Sequence, residues 1–122
     1  MKIYLFSGNW AGKTTNALGL ALRSLGHGHN VLVIQFLKWY KETGEYKFME
    51  KWSVIPSYPK RGKYIIKQYG RQGWIGLNNL TEEDKELCHK ASDDTISIAG
   101  LLLPKLIILD EINLAIHCKL LT

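Results

Sequence analysis

Ser7-Gly8-Asn9-Trp10-Ala11-Gly12-Lys13-Thr14-Thr15 is the stretch on which the fold turns. The apolar run Ile3-Tyr4-Leu5-Phe6 precedes it, and Leu18, Ala21, Leu22 and Leu25 follow it at the spacing of one helix face. Strand, Gly-containing loop, Lys-Thr and helix is the layout of a phosphate-binding P-loop. Successive backbone N–H groups of such a loop form a concave anion site. A helix starting near Lys13 adds the positive end of its dipole. Lys13 reaches the terminal phosphates, and the Thr14 hydroxyl suits a phosphate-bound Mg²⁺. The general pattern opens on Gly, whereas this one opens on Ser7, with Gly8 one residue later. The plainer reading is a strand-to-helix turn with a surface Lys and a capping Thr. The flanking strand and helix weigh against it.

Working outward, residues 2–6 are predicted as a buried strand, 14–25 as a helix capped by Gly26, and 31–36 as a second buried strand. Together they make a right-handed βαβ unit. Residues 37–79 are irregular, with turn signals at Thr43-Gly44 and 56–62. Within them 47–51 reads as a short helix, and 52–55 and 64–66 as candidate strands. Gly70, Gly73 and Gly76 mark a loop with Trp74 at its centre. Thr81-Glu82-Glu83-Asp84 resembles a capping box. It opens a helix that carries Leu87, Ala91 and Ile98 on one face and ends near Gly100. Residues 105–109 form a third buried strand, and 112–121 begin another helix.

The second motif is Leu106-Ile107-Ile108-Leu109-Asp110-Glu111, an apolar strand ending in two acids, the Walker B pattern. Such a strand puts its carboxylate beside the phosphate loop at the carboxyl edge of the sheet. One acid can hold Mg²⁺ through water; the second can ligate the metal or orient a nucleophile. Alone, the motif is weak, because any buried strand can end in a helix-capping Asp. Paired with the loop it is much stronger.

The 122 residues, 46% hydrophobic and 22% charged, fit one globular domain spanning 1–122. Nothing resembles a signal peptide, and the longest apolar stretch, 96–109, is broken by Pro104 and Lys105. No membrane association is expected, and a cytoplasmic location follows by default. Cys88 and Cys118 make neither a disulfide framework nor a metal motif. His27 and His29 lack a third ligand nearby in sequence. The net charge of +5 is uneven: between Leu37 and Ile75, nine Lys or Arg face three Glu, and from Thr81 to Asp94, six acids face two Lys. Ten of the thirteen aromatic residues lie between Phe36 and Trp74. A basic, aromatic segment can stack on single-stranded nucleic acid, grip a flat anionic cofactor, or be a solvated insertion.

These residues resemble the P-loop ATP:corrinoid adenosyltransferases. The family loop is similar to Gly-Asn-Gly-Lys-Gly-Lys-Thr-Thr, against Gly-Asn-Trp-Ala-Gly-Lys-Thr-Thr from Gly8 here. Ala-Leu-Gly-Leu-Ala-Leu-Arg, Gly26-His27-Gly28, the run from Val33 to Lys38 and Thr43-Gly44-Glu45 look like the family too. So do Gly70-Arg71-Gln72-Gly73-Trp74 and Asp110-Glu111-Ile112-Asn113 with Ala115. Trp10 and Ala11 depart from it, standing where the family has Gly and Lys.

The resemblance implies an α/β fold: a three-layer, P-loop NTPase-like (RecA-like) parallel sheet with helices on both faces. It implies transfer of the 5′-deoxyadenosyl group of ATP to the Co(I) of a reduced corrinoid. Gly8, Asn9, Trp10, Ala11, Gly12, Lys13, Thr14 and Thr15 would bind ATP, and Thr14, Asp110 and Glu111 would hold Mg²⁺. Lys13 would act on the departing triphosphate, and Trp74 would pack on the lower face of the corrin. A flavin-dependent reductase would supply electrons to a homodimer; nucleic acid is not an expected partner. Two other classes remain open, a small nucleotide or nucleoside kinase and a nucleotide-gated nucleic-acid-binding module.

In folds of this type the strand after Walker B inserts between the Walker A and Walker B strands. Here twelve residues follow Asp110 and read as a turn and a short helix. Either 3–6 pairs directly with 106–109 or the sheet has a gap at its centre, and the expectation is an incomplete, marginally stable fold that self-associates.

Overall fold

The computed structural model describes residues 12–54, 62–72 and 79–121. The strand expected at 2–6, and its pairing, lie outside the described residues. The elements run α1 (Lys13–Gly26), β1 (Val31–Phe36), α2 (Gly44–Val54), β2 (Tyr64–Tyr69), α3 (Glu82–Leu102), β3 (Leu106–Asp110) and α4 (Ile112–His117). The described strands form a parallel sheet in the order β2-β1-β3. This is the α/β arrangement expected of a P-loop NTPase-like fold.

Strand β1 is buried along its whole length, as its unbroken Val-Leu-Val-Ile run requires of a central parallel strand. Its alternate side chains seed two cores. Leu32, Ile34 and Phe36 pack with Tyr69, with Cys88 and Ala91 of α3, and with Ala115 and Leu120. Val31 and Val33 pack with Tyr64, Ile66 and Ile108, with Ala21 and Leu25 of α1, and with Tyr46, Met49 and Trp52 of α2. Helices α1 and α2 therefore cover one face of the sheet, and α3 and α4 the other.

Several local expectations change. Residues 52–54 close α2 instead of starting a strand. Tyr46, Met49 and Trp52 share a helical face against the sheet, and Phe48 packs on Trp52 with ring centroids 5.5 Å apart. Helical spacing outweighs the strand preference of the aromatic residues. The helix expected at 47–51 is longer at both ends, and the strand expected at 64–66 runs on to Tyr69. Gly26 closes α1 as its last residue; the left-handed conformation falls to Gly28, at φ 78°. Helix α3 passes Gly100 and ends at Leu102, capped by Leu103 at φ 50°. Leu22 sits on the shoulder of the α1 stripe and is exposed, and Ile107 and Leu109 leave β3 buried on one face only. The capping box is present: the Thr81 N–H donates to Asp84 Oδ2 at 2.8 Å. Leu87, Ala91 and Ile98 all meet the core, as their spacing predicts.

Candidate active site

The register of the sheet builds the site. Gln35 of β1 is paired with Gln68 of β2 and with Asp110 of β3. All three continue, at the carboxyl end, the stripe that faces α1 and α2. Gln35 is fully buried and Asp110 nearly so. A polar row in that position must be internally hydrogen-bonded. Gln68 Nε2 donates to Gln35 Oε1 at 3.0 Å and to the Tyr40 carbonyl at 3.0 Å. Gln35 Nε2 donates to Asp110 Oδ2 at 3.1 Å and to Glu45 Oε1 at 3.3 Å.

Helix α1 meets this row at its first turn. Gly12 precedes it at φ 106°, a conformation that favours glycine. Lys13 opens the helix, and the Thr14 hydroxyl donates to Asp110 Oδ1 at 2.9 Å. Thr14 at the start of α1 and the acid at the strand end, 96 positions apart, are thus in direct contact. The Lys38 side chain joins Thr14 and Asp110. Lys38 Nζ donates to Asp110 Oδ2 at 2.5 Å and to Thr14 Oγ1 at 3.4 Å.

Of the residues singled out in the sequence, Thr14 and Asp110 come together, with Gly12 and Lys13 beside them. Thr15 is exposed on α1. Glu111 does not join Thr14; it caps α4 in the left-handed conformation at φ 66°, a strained backbone for a non-glycine residue. Gly8, Asn9, Trp10, Ala11 and Trp74 lie outside the described residues. Sequence reasoning gave no role to Gln35, Lys38, Glu45 or Gln68. The signal present was Gln35 itself, a polar residue inside a run otherwise buried as hydrocarbon.

The Thr14 hydroxyl and the Asp110 carboxylate are hard oxygen donors already in contact. Mg²⁺ is commonly bound by one or two carboxylates together with waters and substrate phosphates. These residues fit that ion. Among the described residues no group of three or more His, Cys, Asp or Glu offers a site for a softer metal. Cys88 is a buried thiol that burial pushes up to about 11, with Asp84 and Cys118 adding to the shift. It is inert as a nucleophile or ligand.

A helix N-terminus and a strand-end acid, joined through a threonine hydroxyl on a parallel sheet, define a P-loop NTPase-like α/β protein. The ATP:corrinoid adenosyltransferase family (BtuR/CobO/CobP) matches residues 2–122, and the chain belongs to that family. It is 32% identical over 117 residues to a corrinoid adenosyltransferase of Pseudomonas aeruginosa, covering 93% of this chain and 52% of the relative. It is 48% identical over 52 residues to the corrinoid adenosyltransferase CobA of Salmonella typhimurium and 46% identical over 52 residues to that of Escherichia coli K12. Each of these two matches covers 43% of this chain and 26% of the relative. The chain thus spans about half the length of the Pseudomonas protein. Among the described residues no helix is long and apolar enough to cross a membrane.

Proposed function

We propose that the chain binds ATP as a single nucleotide-binding domain and transfers its 5′-deoxyadenosyl group to the Co(I) of a reduced corrinoid in adenosylcobalamin biosynthesis. The observation that carries this reading is the Thr14–Asp110 hydrogen bond, which unites both nucleotide motifs in a chain matched by the family along its length. The electron pair of Co(I) attacks the 5′ carbon and forms the cobalt–carbon bond. The C5′–O bond breaks, and its electrons leave with triphosphate. The substrate is the nucleophile, so the protein needs none of its own.

The protein's part is position and charge. The Gly12 backbone and the α1 N-terminus cradle the phosphates. Lys13 places a cation on the leaving triphosphate. Thr14 and Asp110 hold Mg²⁺, which supplies further charge neutralisation when bound. Trp74 is assigned to the corrin by the family resemblance, as is the adjacent acid Glu111 to the metal. A flavin-dependent reductase, a homodimer and a cytoplasmic setting belong to the same proposal.

The test is incubation with ATP, Mg²⁺ and chemically reduced corrinoid, following the visible spectrum and analysing the products. A cobalt–carbon bond with free triphosphate is expected. A phosphorylated acceptor in place of triphosphate would point to a kinase. Lys13→Ala should abolish ATP binding in calorimetry, because charge-assisted contacts to phosphate are about twice as strong as neutral ones. Unchanged affinity would overturn the phosphate-loop assignment.

A further inference from the structure

We infer that Lys38 is a displaceable resident cation of the metal slot, a positioning residue that keeps free divalent ions off Asp110 until they arrive with nucleotide. The inference rests on the nucleotide-binding reading of the site. Its ammonium contacts the same two atoms, Thr14 Oγ1 and an Asp110 carboxylate oxygen, that suit a phosphate-bound Mg²⁺.

Three features hold Lys38 in that place. Leu37 takes φ 57°, a strained conformation for a leucine, and turns the chain over the end of β1. The Leu37 N–H donates to the Tyr69 carbonyl at 2.8 Å, which fixes the turn to β2. Gly70 lies against the Leu37–Lys38 backbone so closely that a Cβ there would be 2.8 Å from it. The left-handed Leu37 and the close-packed Gly70 together set the direction in which the Lys38 side chain leaves the sheet.

The chemistry explains the choice of residue. The Asp110 side chain is 8% exposed, and such a carboxylate without a counter-cation is costly. Its other partners, Thr14 and Gln35, are neutral donors. Lysine is a point charge on a flexible stem, whereas arginine is a rigid fork. Lys38 keeps 28% of its side chain exposed, so the ammonium has a route back to water. A bare divalent ion must expel it with no new anion to receive it. A nucleotide-borne ion brings triphosphate oxygens that draw the ammonium away from Asp110.

The experiment uses Mn²⁺ alone, without nucleotide, followed by electron paramagnetic resonance of the free ion. It compares the wild-type chain, Lys38→Met, Lys38→Gln and each variant combined with Asp110→Asn. Thermal unfolding establishes which variants are folded, and the glutamine variant keeps a neutral donor to Asp110 should the methionine variant fail. Removing a like charge from the slot should tighten Mn²⁺ binding at least about tenfold, and Asp110→Asn should erase the gain. A Lys38 that only supports the fold would lower the melting temperature without raising Mn²⁺ affinity. That result, or a gain that survives Asp110→Asn, overturns the inference. MgATP binding to the wild type, measured separately by calorimetry, tests the underlying reading. Its failure would overturn the nucleotide site and the ordering together. Unchanged Mn²⁺ affinity with MgATP still bound overturns the role of Lys38 alone.

Discussion

Gly70 touches Asp110 nowhere, yet the cation above Asp110 depends on it. A methyl group at Gly70 meets the Lys38 nitrogen and the carbonyl carbons of Leu37 and Lys38 at 2.8 Å. These are backbone atoms and cannot rotate aside. Gly70→Ala should therefore cost about 1–3 kcal/mol, the usual range for overpacking, and should move Lys38 off the carboxylate. Urea unfolding measures the first effect, and an increased Mn²⁺ affinity in the folded variant reports the second. At this scale the sequence was only partly legible. Thr14 and Asp110 stood out because their motifs fix both residue type and spacing. Gly70 read only as loop, because close approach of two backbones leaves no composition signal. Lys38 read as one of nine basic residues, since an ion pair across 72 positions is set by the sheet register and not by local pattern.

At the scale of elements, α3 shows what local chemistry can and cannot announce. Its start was legible, because Thr81 and Asp84 stand three apart as a capping box needs. The second duty of Asp84 was not. Its fully buried carboxylate also accepts from Arg71 Nε at 2.7 Å, while Arg71 Nη2 donates to the Asn79 carbonyl at 2.8 Å. Burial on its own would raise the Asp84 pKa, but the hydrogen bonds of Arg71 and Thr81 outweigh it and hold the carboxyl below its usual value of 3.8. A lowered carboxylate pKa contributes stability that is present above the unfolded value and lost as pH falls through the folded one. Asp84→Ala should thus lose at least about 1–2 kcal/mol at neutral pH, the range for a removed helix cap. In denaturant titrations the gap from wild type should narrow below pH 4. The far end of α3 misled because Gly100 is a good stop signal in isolation. Packing of Leu102 against the core carries the helix past it and leaves the left-handed turn to Leu103. Helix α2 misled for a similar reason: Trp52 has strand preference, but its indole N–H reaches the Gly62 carbonyl at 2.9 Å from a helical position.

For the whole molecule, three buried acids among the described residues, each with a raised pKa, weaken the fold as pH climbs. Burial pushes Cys88 up to about 11 from an ordinary 9.0. Burial, with Glu45 nearby, pushes Tyr64 up to about 12. Tyr69 is raised further by burial and by its 2.7 Å hydrogen bond to Asp94. In each case the unfolded chain loses its proton first as pH rises. Their contribution is whole below about pH 9 and should drain away above it, first through Cys88 and then through the tyrosines. Urea midpoints taken from pH 8 to pH 11 should fall, and Cys88→Ala should remove the earliest part of the fall. The layered α/β architecture was legible from alternating apolar runs and helical faces. The order β2-β1-β3 was not, because pairing between distant strands has no local signature. That order has a further consequence during synthesis. Val31 pairs with Tyr64 and Leu106, 33 and 75 positions later in the chain. The central strand therefore emerges from the ribosome well before either neighbour exists, and its loops must close before pairing returns any free energy. Until then Val31-Leu32-Val33-Ile34-Gln35-Phe36 is an uncharged, proline-free segment of six residues with high strand preference. That is the profile of a segment prone to cross-β association, so the strand at the heart of the site is also an aggregation hazard in the nascent chain.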